Sequence, residues 1–398
     1  MIEVHSRALD TSIPIERIIG HISGQQPGPT LVFMGGIHGN EPAGVFALQR
    51  VMKELSPLPI KGNIYALAGN LSALKKGIRF TEVDLNRVWT PQRMNELPQD
   101  AKEAENADIA EQIEVYSILQ SILSSEQGPF YFFDIHTTSS ETLPFLTVND
   151  SLLNRAFTSK FPLPIILGIE EYLDGPILSY INELGYVAFG FEAGQHDEMG
   201  AIENAIAFIY LALAFSGCLT QAQIDYRKYY DHIAKTTGGR ARMFEITYRH
   251  LISEREEFQM LPGFFNFQKI IRKQPLAKSN GVLIKARSNG RIFMPLYQSK
   301  GSDGFFTIQK IWKPFLRLSA FIRKHRLDSL LILLPGIRWI DEQRSGLFVN
   351  RKIAKFMAKD LFHLFGYRSA SANKKFFKMK NRESTAKYKM YQTEWWFS

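Results

Sequence analysis

The stretch FMGGIHGNEPAG, residues 33–44, carries a histidine and a glutamate three positions apart on a turn crowded with glycines. His38 and Glu41 are either incidental on a sharp turn or half of a metal site, and further ligands downstream decide between the two. His136 supplies one, because it closes the aromatic, β-branched run FYFFDIH. Imidazole nitrogen and carboxylate oxygen are zinc ligands, and three protein ligands leave the fourth position of a catalytic site for water. The sequence therefore predicts one zinc ion per chain, bound by His38, Glu41 and His136.

A water activated by the metal needs a proton acceptor, and Glu192 at the end of GYVAFGFE is the candidate. It is a lone carboxylate after an apolar run, where a dry setting would raise its pKa. Arg79 and Arg87 stand at the two ends of RFTEVDLNR. One of them would polarise the scissile carbonyl and its oxyanion, and the other would grip a substrate carboxylate with Asn86 beside it.

Two aspartates in these motifs have supporting roles. Asp134 lies two residues before His136, on the same face of the predicted strand, and could orient an imidazole from behind. Alternatively, Arg87 does not bind substrate but forms a structural ion pair with Asp84. The sequence leaves both interpretations of Arg87 open.

Strands and helices alternate between residues 30 and 225, with the polar residues above at the ends of strands. The strand candidates are TLVFMGG, GNIYALAGN, PFYFFDIHTT, LPIILGI and GYVAFGFEAG, and helices are predicted in PAGVFALQRVMKEL and at 103–124 and 176–184. This alternation predicts an α/β fold with a mostly parallel sheet flanked by helices. Ligands of such sheets bind at the carboxyl ends of the strands, which is where these side chains lie.

The pattern changes twice further along the chain. Short β-like runs with turn signals between them predict a small all-β domain at 236–312, after a hydrolase domain at 1–235. Residues 313–398 read as a basic, partly helical C-terminal extension, with 19 Lys and Arg against 6 Asp and Glu. Since the whole chain carries a net charge of +9, the first three-quarters is mildly acidic.

The basic extension allows three interpretations. It is a solvated face that packs on its own domain, a surface for an acidic partner or nucleic acid, or a surface that contacts a membrane. Because no groove-reading motif is present, nucleic acid is a minority hypothesis among these.

The composition, 45% hydrophobic and 22% charged in 398 residues, is that of a globular protein of two domains or slightly more. The single cysteine, Cys218, excludes an intrachain disulfide and a thiolate-cluster zinc site. No signal-peptide pattern opens the chain, and no apolar run reaches the roughly 18 to 20 residues that span a bilayer. We therefore expect a soluble, cytoplasmic protein.

Four motifs, GGIHGNEPAG, RFTEVDLNR, DIHTT and FEAG, occur in the order and spacing of the succinylglutamate desuccinylase/aspartoacylase family. The sequence resembles this family, which is related to the zinc carboxypeptidases, over about residues 10–312. The resemblance implies a zinc-carboxypeptidase-like sheet and a zinc-dependent amidohydrolase that deacylates a small N-acyl amino acid. Carried over by position, it implies zinc ligands at His38, Glu41 and His136, a general base at Glu192, a carbonyl-polarising Arg79, and a carboxylate-binding pair of Asn86 and Arg87.

The sequence departs from the family at one substrate position. Aspartoacylases carry a further arginine ten residues before the catalytic glutamate, where this chain has Asn182, so a dicarboxylic aspartate-type substrate is not implied. Tyr297 is the candidate for the tyrosine that the family's β domain contributes. The rival hypotheses are a metallocarboxypeptidase acting on peptides and a non-catalytic binding protein that uses its basic tail.

Overall fold

The computed structural model describes residues 1–239, 242–298, 301–350, 359–372 and 375–397. It is built around one mixed sheet of eleven strands. Parts of the predicted C-terminal extension, residues 351–358, 373–374 and 398, lie outside the described residues. Among the described residues, no helix combines the length and the apolarity needed to cross a bilayer.

The described strands, in chain order, are β1 Ile2–Ser6, β2 Thr11–Ile15, β3 Ile18–Ser23, β4 Gln26–Gly35, β5 Lys61–Ala68, β6 Phe130–Thr138, β7 Phe145–Val148, β8 Ile165–Leu167, β9 Val187–Gln195, β10 Met243–Leu251, β11 Phe258–Met260, β12 Lys269–Ile270, β13 Pro275–Ser279, β14 Val282–Lys285, β15 Gly290–Phe293, β16 Asp303–Lys310, β17 Ile337–Trp339, β18 Gly346–Asn350, β19 Tyr367–Ala372 and β20 Phe376–Asn381. The order in the main sheet is β12-β15-β16-β10-β8-β7-β9-β6-β4-β5-β3.

The described α-helices are α1 Ala43–Leu55, α2 Leu71–Lys76, α3 Pro91–Glu96, α4 Ala107–Ser125, α5 Leu152–Thr158, α6 Ile177–Glu183, α7 Met199–Phe215, α8 Tyr226–Thr237, α9 Lys313–Lys324, α10 Lys359–Leu364 and α11 Tyr388–Tyr391. Short 3-10 segments lie at Leu85–Arg87, Ala101–Glu103, Ile169–Glu171 and Leu327–Leu333. The helices predicted at 103–124 and 176–184 correspond to α4 and α6.

The centre of the main sheet is parallel and covered on both faces. Strands β5, β4, β6 and β9 pair in parallel, and β6 is buried along its whole length. Side chains alternate between the faces, so that Phe133 packs in the core with α1 and α7, whereas Phe132 packs in the core with α4 and α6. The near-continuous apolar character of β4, β6 and β9 is what such double burial requires. The predicted α/β fold is confirmed.

Antiparallel strands extend this sheet beyond its parallel centre. β10 pairs in parallel with β8 and antiparallel with β16, so the main sheet continues into the segment expected to form a small β domain. The rest of that segment includes a separate three-stranded sheet of β11, β13 and β14. The strands predicted there are present, and the boundaries 1–235, 236–312 and 313–398 stay a prediction.

The C-terminal extension contains more strand than the sequence indicated. Besides α9, it holds a four-stranded antiparallel sheet in the order β17-β18-β20-β19. In β20, FFKMKN, the lysines alternate with Met379, which is buried against this sheet's own small core. Lysine favours helices and is depleted in strands, which is why the segment looked helical or irregular.

The end of the described chain returns to the main core. The Tyr391 hydroxyl donates to the carbonyl of Phe130 at 2.5 Å and accepts the amide of Val187 at 3.0 Å. The Trp396 indole donates to the Tyr131 hydroxyl at 3.2 Å. Both side chains are fully buried, so the extension is an integral part of the fold.

Candidate active site

The glycine-rich turn after β4 brings His38 and Glu41 together. Gly36 adopts φ +70°, which turns the chain away from the strand. Gly39 packs against the backbone of α2, where a Cβ would lie 2.0 Å from the carbonyl carbon of Ala73. The turn therefore needs glycine at these two points, and it places Glu41 just before α1.

The side chains of His38, Glu41 and His136 converge near this turn. The Nδ1 atom of His38 lies 2.9 Å from Glu41 Oε1, and the Nδ1 atom of His136 lies 3.0 Å from Glu41 Oε2. Ligand atoms of all three residues lie within 4.8 Å of one another, and all three are buried. Such a cluster can hold one metal ion.

The other nitrogen of each imidazole faces an aspartate. His38 Nε2 lies 3.0 Å from Asp84 Oδ1, and His136 Nε2 lies 2.7 Å from Asp134 Oδ2. Asp134 thus occupies the orienting position that the sequence predicted. Asp84 occupies the same position behind His38, which the sequence analysis missed. A carboxylate behind each imidazole fixes ring orientation and leaves Nδ1 directed at the shared centre.

The charges in this cluster shift one another's pKa values. Burial alone would raise the pKa of Glu41, but His38 and His136 hold it well below its ordinary value. Burial would lower the pKa of His136, yet Asp134 and Glu41 raise it well above its ordinary value. These opposite shifts favour an ionised Glu41 paired with a protonated His136.

Glu192 lies beside this cluster without a partner of its own. In the ladder between β6 and β9 it is directly opposite His136. It is buried, and its Oε2 has no hydrogen-bond partner among the described residues. Burial raises the pKa of Glu192 to about 8, helped by the charges of Glu41 and Asp134 and opposed by His136. The predicted dry setting is therefore present, and this carboxyl group can take up or release a proton near neutral pH.

The two arginines lie at different depths in the site. Arg79 pairs with Asp84 through Nη2 at 3.1 Å and approaches Glu41 Oε1 at 3.5 Å. Arg87 is more exposed, and its Nη2 lies 3.6 Å from Asp303 Oδ2, so its ion-pair partner is Asp303 of β16 rather than Asp84. The structure thus identifies Asp303 as a contact of the site that the sequence analysis missed.

Asn86 links the site to the neighbouring helix. Its side-chain oxygen accepts the amide of Ile177 at 3.0 Å, and its Nδ2 lies 3.4 Å from His136 Nε2. Asp84 caps this segment by accepting the amide of Asn86 at 2.9 Å. The short 3-10 turn at Leu85–Arg87 therefore positions Asn86 and Arg87 over the cluster.

All seven predicted site residues line one cavity of about 140 Å³. Its lining combines the cluster, Arg79 and Arg87 with several apolar side chains. Leu296 and Gln298, which follow β15, also line it, so the β-rich part of the chain closes over the site. The apolar side chains include Ile169, Leu173, Leu178, Leu296 and Phe306.

Asn182 and Tyr297 lie outside the cavity lining. The Asn182 amide donates to the carbonyls of Leu178 and Ala188, at 2.7 and 3.0 Å. The Tyr297 hydroxyl donates to the carbonyl of Leu261 at 2.9 Å. Both side chains are therefore committed to the backbone, and neither contacts the cluster.

His196 lines the cavity, which the sequence left undecided. Its Nδ1 lies 2.7 Å from the hydroxyl of Thr137, and burial lowers its pKa. Asp197 instead forms an exposed ion pair with Arg7 at 3.4 Å.

Sequence comparison points to one family. Residues 27–210 match the model of the succinylglutamate desuccinylase/aspartoacylase catalytic domain. The succinylglutamate desuccinylase of Yersinia pestis (strain Pestoides F) is 32% identical over 110 residues, which cover 27% of this chain and 32% of that protein. The enzyme of the same name from Pseudomonas paraeruginosa (strain DSM 24068 / PA7) is 27% identical over 118 residues, 29% of this chain and 33% of the relative. The matched segments thus span about a third of these relatives' length.

Solved structures resemble a larger part of the chain. Succinylglutamate desuccinylase from Vibrio cholerae superposes with a TM-score of 0.56 at 14% identity, over 73% of this chain and 84% of that one. The ectoine utilization protein EutE (DoeB) from Ruegeria pomeroyi gives a TM-score of 0.54 at 17% identity, over 73% and 87%. At such identities the likeness establishes the fold.

Proposed function

We propose that this chain, whose residues 27–210 match the succinylglutamate desuccinylase/aspartoacylase catalytic domain, is a zinc-dependent amidohydrolase that deacylates a small N-acyl amino acid. One observation carries the proposal: the unpaired carboxyl of Glu192 is buried beside a cluster of two imidazoles and one carboxylate that can hold a metal ion.

The donor set suits zinc. Two nitrogens and one carboxylate oxygen match the ligands of catalytic zinc sites, and His38 and His136 each have an aspartate behind the ring. When bound, zinc would lower the pKa of a water molecule and stabilise negative charge on the scissile carbonyl.

Glu192 would move the proton in this reaction. Burial raises the pKa of Glu192 to about 8, so its carboxylate is a stronger base than an exposed one, and its acid form can protonate the leaving amine. The missing hydrogen bond on Oε2 leaves that oxygen available for the transfer.

The arginines and Asn86 would bind and polarise the substrate. Arg79, anchored by Asp84, is held where a planar cation can stabilise oxyanion charge. Arg87, whose contact with Asp303 is long at 3.6 Å, can present its guanidinium to the substrate carboxylate, with Asn86 beside it.

The size and lining of the cavity favour a small substrate. About 140 Å³ beneath Leu296 and Gln298 suits an acyl amino acid better than a peptide chain. Because Asn182 is turned away and leaves no second arginine, we expect little activity on N-acetylaspartate. The metallocarboxypeptidase alternative requires a more open cleft.

The test is a hydrolysis screen of zinc-loaded protein, with zinc content measured in parallel. The panel contains N-succinylglutamate, N-acetylaspartate, N-acyl amino acids with apolar side chains, and a long peptide. We expect one zinc per chain and turnover of at least one acyl amino acid. Activity on the peptide alone would favour the carboxypeptidase, and bound zinc without any hydrolysis would favour a binding protein. His136→Ala is the metal-deficient control.

A further inference from the structure

Residues 312–334 expose an unusual amount of apolar surface. Seven large side chains of this segment, together named the apolar face, are exposed by the following fractions: Trp312 75%, Leu318 49%, Phe321 56%, Leu330 54%, Ile332 38%, Leu333 78% and Leu334 38%. Soluble proteins rarely expose a contiguous apolar patch of this kind, and such patches often mark a surface that binds a protein or a membrane.

The apolar face combines one side of a helix with the segment that follows. On α9 the exposed positions 314, 317, 318, 321, 324 and 325 recur at helical spacing. The opposite side of the helix is anchored, since Ile322 and Arg323 are buried. The 3-10 segment Leu327–Leu333 contacts α9 and continues the exposed surface. Its Leu330, Ile332 and Leu333 carry no polar group.

The charge around the apolar face has one sign. Among residues 310–338 the single acidic residue is Asp328, which is buried and accepts the Tyr367 hydroxyl at 2.6 Å. The exposed full charges of this stretch are all cations: Lys310, Lys313, Arg317, Lys324, Arg326 and Arg338.

A second cavity adjoins the start of α9. It has a volume of about 520 Å³ and is lined by four cations, Arg242, Lys310, Lys313 and Arg317, and by no acidic residue. None of these four forms an ion pair within the described part of the chain. Met243, Ile311 and Leu316 complete the lining. The cavity is thus suited to an anion attached to an apolar group.

We propose that the apolar face lies on a bilayer containing anionic phospholipid, with one lipid headgroup in the basic cavity. Helices that lie in the membrane interface combine Lys and Arg with Trp, Phe and Leu, as this segment does. Trp312, the most exposed aromatic residue here, suits the headgroup level. A protein partner is less favoured, because lysine is depleted in protein–protein interfaces.

The proposal is tested by sedimentation of the full chain with phosphatidylcholine vesicles, with and without phosphatidylglycerol. We expect binding to the anionic vesicles that weakens as salt rises, and much weaker binding to phosphatidylcholine alone. The double variants Phe321→Asp/Leu333→Asp and Lys313→Glu/Arg317→Glu should each reduce binding at least about tenfold.

Matched controls separate this surface from a general effect of charge. Val282, 71% exposed on β14, is replaced by Asp, and the exposed Lys278 by Glu, and neither change should alter binding. Thermal unfolding checks that all variants fold. Because vesicle binding is measured directly, its result does not depend on the proposed hydrolase activity. The proposal fails if anionic vesicles bind no better than neutral ones, if the face variants match the controls, or if the same residues control self-association instead.

Discussion

Two clusters of charged side chains that are buried among the described residues differ in how their charges are paired. The site cluster combines three carboxylates with two imidazoles and Arg79, and it leaves Glu192 beside it without a partner. The second, here named the arginine cluster, surrounds Asp150 with guanidinium groups. Its members are Asp150, Glu170, Glu171 and Glu383 with Arg155, Arg323 and Arg382.

The arginine cluster is structural because each carboxylate has a guanidinium partner. Arg323 from α9 lies 3.3 Å from Asp150 Oδ2, and Arg382 lies 2.6 Å from the same oxygen. Arg155, Arg323 and Arg382 hold the pKa of Asp150 well below its ordinary value against the effect of burial. The cluster joins the extension to the segments that follow β7 and β8 of the main sheet.

The site cluster differs by leaving one carboxyl group unmatched. Burial raises the pKa of Glu192 to about 8 instead of lowering it. Buried charge that is fully paired holds parts of a fold together, whereas a buried carboxyl in a cavity without a partner is available for chemistry. The comparison leads to the following predictions, from the largest effect to the smallest.

Glu192→Gln should abolish most turnover while leaving the metal bound. Loss of a general base reduces rates by about 10²–10⁴-fold, and the amide keeps the shape of the side chain. The measurement is kcat on the best acyl amino acid, with zinc content by atomic absorption. Glu198→Gln, the same chemical change at an exposed position, serves as the control and should keep most activity. Unchanged turnover in Glu192→Gln would remove this residue from the proposed role.

Arg382→Met should destabilise the fold by about 3–5 kcal/mol, because it leaves buried carboxylates without their cation. The free energy of unfolding is measured by urea denaturation. The control is Arg50→Met, which breaks a half-exposed pair with Glu54 and should cost no more than about 1 kcal/mol. If both variants lose the same stability, the contrast between buried and surface pairs is wrong for this protein.

Asp84→Asn and Asp134→Asn should each weaken zinc binding by about 10–100-fold without unfolding the protein. Each change removes the charge behind an imidazole and keeps a hydrogen-bonding group there. Competition with a chelator measures the affinity, and Asp231→Asn, at an exposed position, is the control. An effect of Asp134→Asn alone would restrict the orienting role to the aspartate that the sequence predicted.

Asp150 and Glu192 should contribute opposite slopes of stability against pH in the protein without metal. Asp150, with a lowered folded-state pKa, contributes stability above its ordinary value of 3.8, and this is lost as the pH falls. Glu192, with a raised pKa, contributes stability below its ordinary value of 4.5, and this is lost as the pH rises to about 8. Urea unfolding across this range measures both, and Glu192→Gln should reduce the slope of the upper limb, leaving the part that the raised pKa of His136 contributes.

The central sheet and the residues at its strand ends were predictable because local patterns determine them. Apolar runs that end in polar motifs identified β4, β6 and β9, and with them His38, His136 and Glu192. The site contacts of Asp84 and Asp303 were not predicted, because two residues that pair across the fold leave no periodic pattern in the sequence. Asp303 is 216 positions from Arg87 along the chain but faces it in the site.

The extension was harder to predict for a physical reason. Its strands are short and carry lysines on the exposed face, as in β20, so their composition resembles that of a basic helix. The arginine cluster likewise appeared as excess positive charge, although Arg323 and Arg382 are buried against acidic residues of the main domain. Net charge counted along a sequence does not distinguish solvated cations from paired ones.

The burial of Tyr391 and Trp396 constrains how the protein is made. Tyr131 lies in the middle of the sheet, but its neighbours in the core include an indole synthesised 265 residues later. During translation, this face of β6 stays uncovered until that late segment has left the ribosome. A chain synthesised only as far as residue 391 therefore has an incomplete core, and termination before that residue would yield a substrate for chaperones and proteases instead of a shortened folded protein.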